Sequence, residues 1–363
     1  MSSSPVSWDV AERVATWVGT RRSWSGAQLL PSIDAATQAR LEEDFAEVTT
    51  QAEALVIEAT GLRPVSGEAK ARVVDRPGWV RNNLSSFRHL LDPVLGQLET
   101  TTLKGSMPGV ARSAAGAQMG LVLGWMSTRV LGQYDLLFAG DTSGDAVSYV
   151  GPNIVALERR HGFPPRQFRL WIALHEVTHR CQFTGVPWLR EYFLAQVDQV
   201  LSHVTPDPHR LAEALSRAAQ SVRDGKNPLE DAGMLGLVAP PEQLEVIARI
   251  QAMMSVLEGH GDVTMDRAGA EAVPDAAWFS RVLHERRTRA PRPVRLLQQL
   301  VGIEAKMRQY QQGETFIRAV EASAGPEAMA RVWEGADQLP TMEEIRHPDD
   351  WLARTGPARL ALL

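Results

Sequence analysis

Cysteine is almost absent: Cys181 is the only one in 363 residues. A single thiol forms no intramolecular disulfide, so the fold is not stapled and a reducing, cytoplasmic setting is expected. Long apolar runs are missing as well. None approaches the roughly 18 residues that a membrane-crossing helix needs, so no membrane partner is expected. The opening MSSSPVSWDVAERVATWVG has no basic stretch followed by an apolar one, so no signal peptide is expected. An excess of positive charge is lacking too. The 38 Lys+Arg against 43 Asp+Glu leave a net charge of −5, which argues against a nucleic-acid partner. There is no internal repeat and no low-complexity tract. The hydrophobic share of 44% is that of an ordinary globular protein, enough for a sizeable core in one large or two ordinary domains.

Helical periodicity dominates the first part of the chain. VSWDVAERVATWVG and IDAATQARLEEDFAEVTTQAEALVIEAT both place apolar residues at helical spacing. Asp34 or Ser32 is suited to cap the second run and Gly61 to end it. Ala71 to Val74 reads as a short strand closed by Asp75, Pro77 and Gly78. Residues 80–102 and 109–131 read as two further helices. The pattern changes at Gly132. Tyr134 to Phe138, a turn through Gly140, Asp141, Ser143 and Gly144, and the strand formers Val147, Tyr149 and Val150 predict a hairpin. An edge strand there is able either to pair with an extended peptide or only to cover the core. The expected fold is α+β, predominantly α. Residues 1–132 read as a helical N-terminal domain and 133–363 as the part carrying the chemistry, although one compact unit fits as well.

That chemistry lies in FPPRQFRLWIALHEVTHRCQFTGVPW, residues 163–188. Pro164 and Pro165 suit a first helical turn, and Gly185 followed by Pro187 a stop. At about 3.6 residues per turn, His175 and His179 stand one above the other and Glu176 lies beside them. Phe168, Trp171 and Ile172 continue the histidine face, so the imidazoles point inward. This H-E-x-x-H pattern suits zinc hydrolysis. Two neutral imidazoles and a third protein ligand hold Zn²⁺, one per chain, and the remaining position is left for water. The glutamate takes a proton from that water and delivers it to the leaving group. With 9 His and 43 Asp+Glu, chance yields only ~0.03 such patterns. The plain alternative is a helix with two hydrogen-bonded histidines and a solvated glutamate. Cys181 falls on the far side of that helix and reads as a small buried residue rather than a ligand.

The third ligand is sought in PEQLEVIARIQAMMSVLEGHGDVTMDRAG. Ile247, Ile250, Met254 and Leu257 share one broad helical face, and Glu258 falls on the same phase. A carboxylate on an apolar face needs a partner or a metal. Asp262, one turn on, is placed to accept a hydrogen bond from a ligating imidazole. His260 lies about 200° round from Glu258 and joins it only if Gly259 and Gly261 break the helix. Glu258, His260 and Asp262 therefore all stand as candidates. Tyr149, His284 and Tyr310 are possible donors to a developing oxyanion. The basic run RVLHERRTRAPRPVR reads as a solvated loop and helix end, or as a site for acidic groups.

HEVTHRCQFTGVPWLREY resembles the signature of an actinobacterial zincin-like metallopeptidase family. The likeness extends to VVDRPGWV, RVLGQYDL, GPNIVALE, SVLEGHGDVTMD, AKMRQYQQGETFIRAV and RVWEGADQLP, from Trp8 to Trp351, with no match across 200–240. It implies a helical N-terminal domain and a zincin catalytic part. His175, His179 and Glu258 would bind zinc, and Glu176 would be the base. Family members are labelled hydrolases or linked to deazaflavin coenzyme biosynthesis. The expected function is a zinc-dependent hydrolase acting on a peptide or other amide bond. The rivals are a non-catalytic zinc-braced binding protein and a small-molecule amidohydrolase. Glu176 favours catalysis, because a bracing metal has no use for a base.

Overall fold

The computed structural model describes residues 6–21, 33–101, 109–136, 145–202, 241–288 and 303–356. The chain is mostly helical with one small sheet, an α+β fold. Contacts divide it into two compact units: residues 1–185 with 265–284, and residues 186–264 with 285–363.

In the first unit, α1 (Trp8–Thr20) buries Trp8, Ala11, Ala15 and Val18. Helix α4 (Gly109–Ser127) meets it through Gly116, Gly120 and Gly124, one per turn. A Cβ on Gly120 would stand 2.5 Å from the Ala11 carbonyl oxygen, so the two backbones touch. Helix α2 (Ala35–Thr60) starts where Asp34 accepts a 2.7 Å hydrogen bond from the Thr37 amide, and it ends at Gly61, whose φ of 72° is left-handed. Its stripe of Leu41, Phe45, Val48, Ala52 and Val56 is buried. A buried polar knot joins α1, α3 (Arg76–Thr101) and α5 (Gly151–His161). Arg76 donates to Asn153 Oδ1 at 2.8 Å and to the Gly19 carbonyl at 3.0 Å. Asn153 donates in turn to the Ser127 and Val130 carbonyls.

The sheet has three strands, β1 (Lys70–Val74), β2 (Gly132–Tyr134) and β3 (Ala146–Val150), in the order β1-β3-β2. A hairpin is present, but its first strand is Gly132–Tyr134 and meets the expected run Tyr134 to Phe138 only at Tyr134. β2 runs antiparallel to β3 with Gln133 opposite Ser148. The turn residues Gly140, Asp141, Ser143 and Gly144 lie outside the described residues. β1 also pairs with β3, in parallel, with Val73 opposite Tyr149. This encloses β3 on both sides, and Val147, Tyr149 and Val150 are fully buried. The edge offered beside the hairpin is therefore that of β2. The motif helix is α6 (Pro165–Gly185), close to its expected ends.

The second unit contains α7 (Leu189–Ser202) and α8 (Pro241–Ala268), the latter counted here as far as Thr264. Helix α9 (Ala276–Thr288) begins in the first unit and ends in this one; the rest of the basic run lies outside the described residues. After it come α10 (Ile303–Ala324), two 3₁₀ segments (Pro326–Trp333 and Ala336–Gln338), α11 (Met342–Arg346) and α12 (Pro348–Thr355). Ala252, Val256, Val263, Phe316, Ile317, Val320, Val332 and Trp351 form its core. Trp351 is fully buried and donates to the Gln338 carbonyl at 2.8 Å. α8 is continuous through Gly259 and Gly261, so the break considered from sequence is absent. Gly259 serves instead as a crossing point. A Cβ there would stand 2.3 Å from the Gly313 carbonyl carbon, and one on Gly313 would stand 1.8 Å from the Ser255 carbonyl oxygen.

Candidate metal centre

Helix α6 is held at three levels. Near its start Phe168 packs at 4.7 Å from Phe163 and 5.2 Å from Phe279, in ring-centroid distance. Arg169 makes a two-pronged pair with Glu158 at 2.8 and 2.9 Å and also reaches Asp44. Near its end Arg180 is fully buried. Its guanidinium donates to Asp145 at 2.6 and 3.0 Å, to the Gly67 carbonyl at 2.7 Å, to Ser66 and to Glu53. Burial opposes that charge, but the surrounding acceptors outweigh it and hold the guanidinium protonated. The next residue, Cys181, is buried as expected. Burial, reinforced by Glu53, pushes its thiol up to about 12, which fits neither a metal ligand nor a reactive thiol.

Between these anchors the helix presents His175, Glu176 and His179, all half-buried. The imidazole rings meet edge to face with centroids 4.6 Å apart, and their Nε2 atoms are 3.2 Å apart. Two nitrogens this close repel unless a proton or a cation lies between them. Tetrahedral zinc with Zn–N bonds of about 2.0–2.1 Å sets its ligand nitrogens about 3.3 Å apart, so this pair fits the ion. His179 Nδ1 is 2.9 Å from Gln182 Oε1. An amide oxygen only accepts, so this contact favours the tautomer with the proton on Nδ1 and the lone pair on Nε2.

The Glu176 carboxylate lies against β2, where Oε2 accepts a 3.2 Å hydrogen bond from the Tyr134 amide. Leu131 bonds Val150 across the hairpin, so Gly132 and Tyr134 alternate outward. A Cβ on Gly132 would stand 2.5 Å from Glu176 Cγ. Only glycine lets the strand come this near to the glutamate.

Glu258 and Asp262 lie one turn apart on α8, both half-buried, and His260 on another side of that helix is edge-on to Trp333 with centroids 4.9 Å apart. Of the suggested oxyanion donors, Tyr149 does not fit. Its ring is fully buried and stacked on Phe45 at 3.9 Å, and its hydroxyl is engaged by Thr49 at 2.8 Å. Burial pushes its ionisation far up, and the nearby Glu176 adds to this despite the opposing Thr49 bond. His284 is exposed on α9, and the side chain of Tyr310 lies outside what the structure describes. Sequence reasoning missed Gln182, Gly132 and Arg180. Only Gln182 carried a readable signal, one turn beyond His179 on the same helix face.

The chain matches the zincin-like metallopeptidase family over residues 6–352 and belongs to it. That family implies zinc binding and hydrolysis. A crystal structure from Chloroflexus aurantiacus, of a protein described as a candidate hydrolase with a novel fold, is similar at a TM-score of 0.70 and 30% identity. The match covers 96% of this chain and 98% of that one. No protein in a comparison with curated proteins matches. No helix among the described residues is long and apolar enough to cross a membrane.

Proposed function

We propose that this protein hydrolyses a peptide or other amide bond, with one zinc per chain held by His175, His179 and Glu258. The observation that carries the reading is the convergence of the two imidazole Nε2 atoms at 3.2 Å beside a glutamate whose carboxylate faces a strand edge. Glu258 enters as third ligand on its helix phase and on the family's chemistry, and Asp262 as the residue that orients an imidazole. When bound, zinc lowers the pKa of a coordinated water toward 7 and polarises the scissile carbonyl. Glu176 accepts the proton of the attacking water at a carboxylate oxygen and passes it to the leaving nitrogen. Through that cycle the Tyr134 amide keeps the carboxylate aimed. An extended peptide as substrate is favoured by the place of β2 beside Glu176, since such chains add backbone hydrogen bonds to a strand edge. The link to deazaflavin biosynthesis names no residue in this site and adds nothing to the reaction.

The test is metal analysis of the purified protein, followed by digestion of a peptide library. We expect about one zinc per chain, because three protein ligands suffice to hold it. Loss of metal in His175→Ala and His179→Ala should follow. A full zinc complement in either variant would falsify the site.

A further inference from the structure

Gln182 is fully buried on α6, one turn past His179, and its amide oxygen lies 2.9 Å from the His179 Nδ1 nitrogen. A neutral imidazole carries one proton, and the nitrogen without it is the one able to bind a metal. An acceptor fixed at Nδ1 therefore decides which nitrogen that is. The nitrogen left bare is Nε2, the atom that faces His175 Nε2 at 3.2 Å. We propose that Gln182 is the positioning residue that locks His179 in the Nδ1–H tautomer and so prepares its Nε2 to bind the metal.

This inference rests on the zinc reading above and deepens it. It assigns to a residue of the motif helix itself the task that the sequence suggests for Asp262, leaving Asp262 for the other imidazole. Two features favour a directed role over simple packing. Glutamine is a costly choice for a fully buried position unless its polar atoms are engaged. The spacing of one turn also lets the ring and the amide meet without bending the helix. The Gln182 oxygen polarises the Nδ1–H bond and makes Nε2 a better donor, as partners of metal-bound histidines generally do.

The test uses the full chain with ¹⁵N-labelled histidine and two substitutions. Gln182→Met keeps length, apolar bulk and helix propensity but removes the acceptor. Gln182→Glu keeps an acceptor and adds charge. In the metal-free wild type, the His179 ring nitrogens should give the Nδ1–H pattern by NMR. Gln182→Met should shift that ring toward the Nε2–H form and weaken zinc binding, measured by competition with a chelator, by about 10–100-fold. Gln182→Glu should bind zinc at least as tightly as wild type. A role in packing alone predicts the opposite for Gln182→Glu, since an unpartnered buried charge destabilises the site. If Gln182→Met proves misfolded by circular dichroism, Gln182→Glu decides: zinc affinity at or above wild type supports the proposal, and a weakening overturns it. An unchanged tautomer, or unchanged zinc affinity, in a folded Gln182→Met also overturns it. A wild-type protein that binds no zinc brings down the hydrolase reading and this inference together. A wild type that binds zinc while Gln182→Met binds it equally brings down this inference alone.

Discussion

The residue scale is where the proposed chemistry stands or falls, and Glu176 is its centre. Glu176→Gln preserves shape and the hydrogen bond from the Tyr134 amide but cannot take a proton. It should retain zinc and lose at least ~100-fold in turnover of any substrate found, which is the typical worth of a positioned base. Undiminished turnover would remove Glu176 from the mechanism, and loss of zinc would make it a ligand. Gly132→Ala probes the same carboxylate from the strand side. The added methyl would stand 2.5 Å from Glu176 Cγ, so the glutamate or the strand must move. Zinc content should be unaffected while turnover falls toward that of Glu176→Gln. The zinc affinities of three α8 variants should descend in the order His260→Ala, Asp262→Asn, Glu258→Ala. Removal of a ligand costs a coordination bond, whereas loss of an orienting partner costs about 10–100-fold. Loss of zinc in His260→Ala with retention in Glu258→Ala would reassign the third ligand.

At the scale of elements, the crossing of α8 and α10 gives the sharpest expectation. Gly313→Ala gains up to about 1 kcal/mol of helix propensity. Against that, its Cβ would stand 1.8 Å from the Ser255 carbonyl oxygen, and the opposing wall is backbone that cannot rotate away. Forcing two packed helices apart costs about 1–3 kcal/mol, so the steric effect wins and the urea midpoint should drop. Gly109→Ala, where no atom lies within 4 Å of the new Cβ, should leave the midpoint unchanged or raise it. Equal behaviour of the two variants would contradict the crossing. The same scale shows what a linear reading reaches. Asp34 and Gly61 mark helix ends through local hydrogen bonding and backbone conformation, so those boundaries are visible in the letters, and Gly185 also falls at the last residue of α6. The hairpin of β2 and β3 is visible for the same reason. The parallel pairing of β1 with β3 is not, because a crossover through α3 and α4 separates them and no local pattern records it. Gly259 and Gly313 were equally silent: a glycine in a helix looks like a weak point until its neighbour is known. Within the site, the H-E-x-x-H spacing was readable because one helix carries it. The acceptors around Arg180 come from residues 53, 66, 67 and 145, which only the fold gathers.

At the scale of the whole molecule, metal binding and stability should be coupled, and Cys181 is a built-in reporter of that coupling. Its thiol is fully buried and pushed up to about 12 by burial, so at pH 8 it is held protonated and away from the reagent. Modification by a thiol reagent therefore requires the first unit to open. A ligand bound only by the folded state stabilises it by RT ln(1 + [L]/Kd), which is about 2.7 kcal/mol at one hundred times Kd. If opening requires release of the metal from the α6 histidines, free zinc at that level should slow Cys181 labelling in mild urea by about 100-fold. His175→Ala should label at one rate with or without zinc, which separates specific binding from zinc capture by the unfolded thiol. Rapid labelling of the native wild type at pH 8 would contradict the burial of Cys181. A wild-type rate indifferent to zinc would mean that the histidine pair does not hold the metal, whatever the letters of the motif suggest.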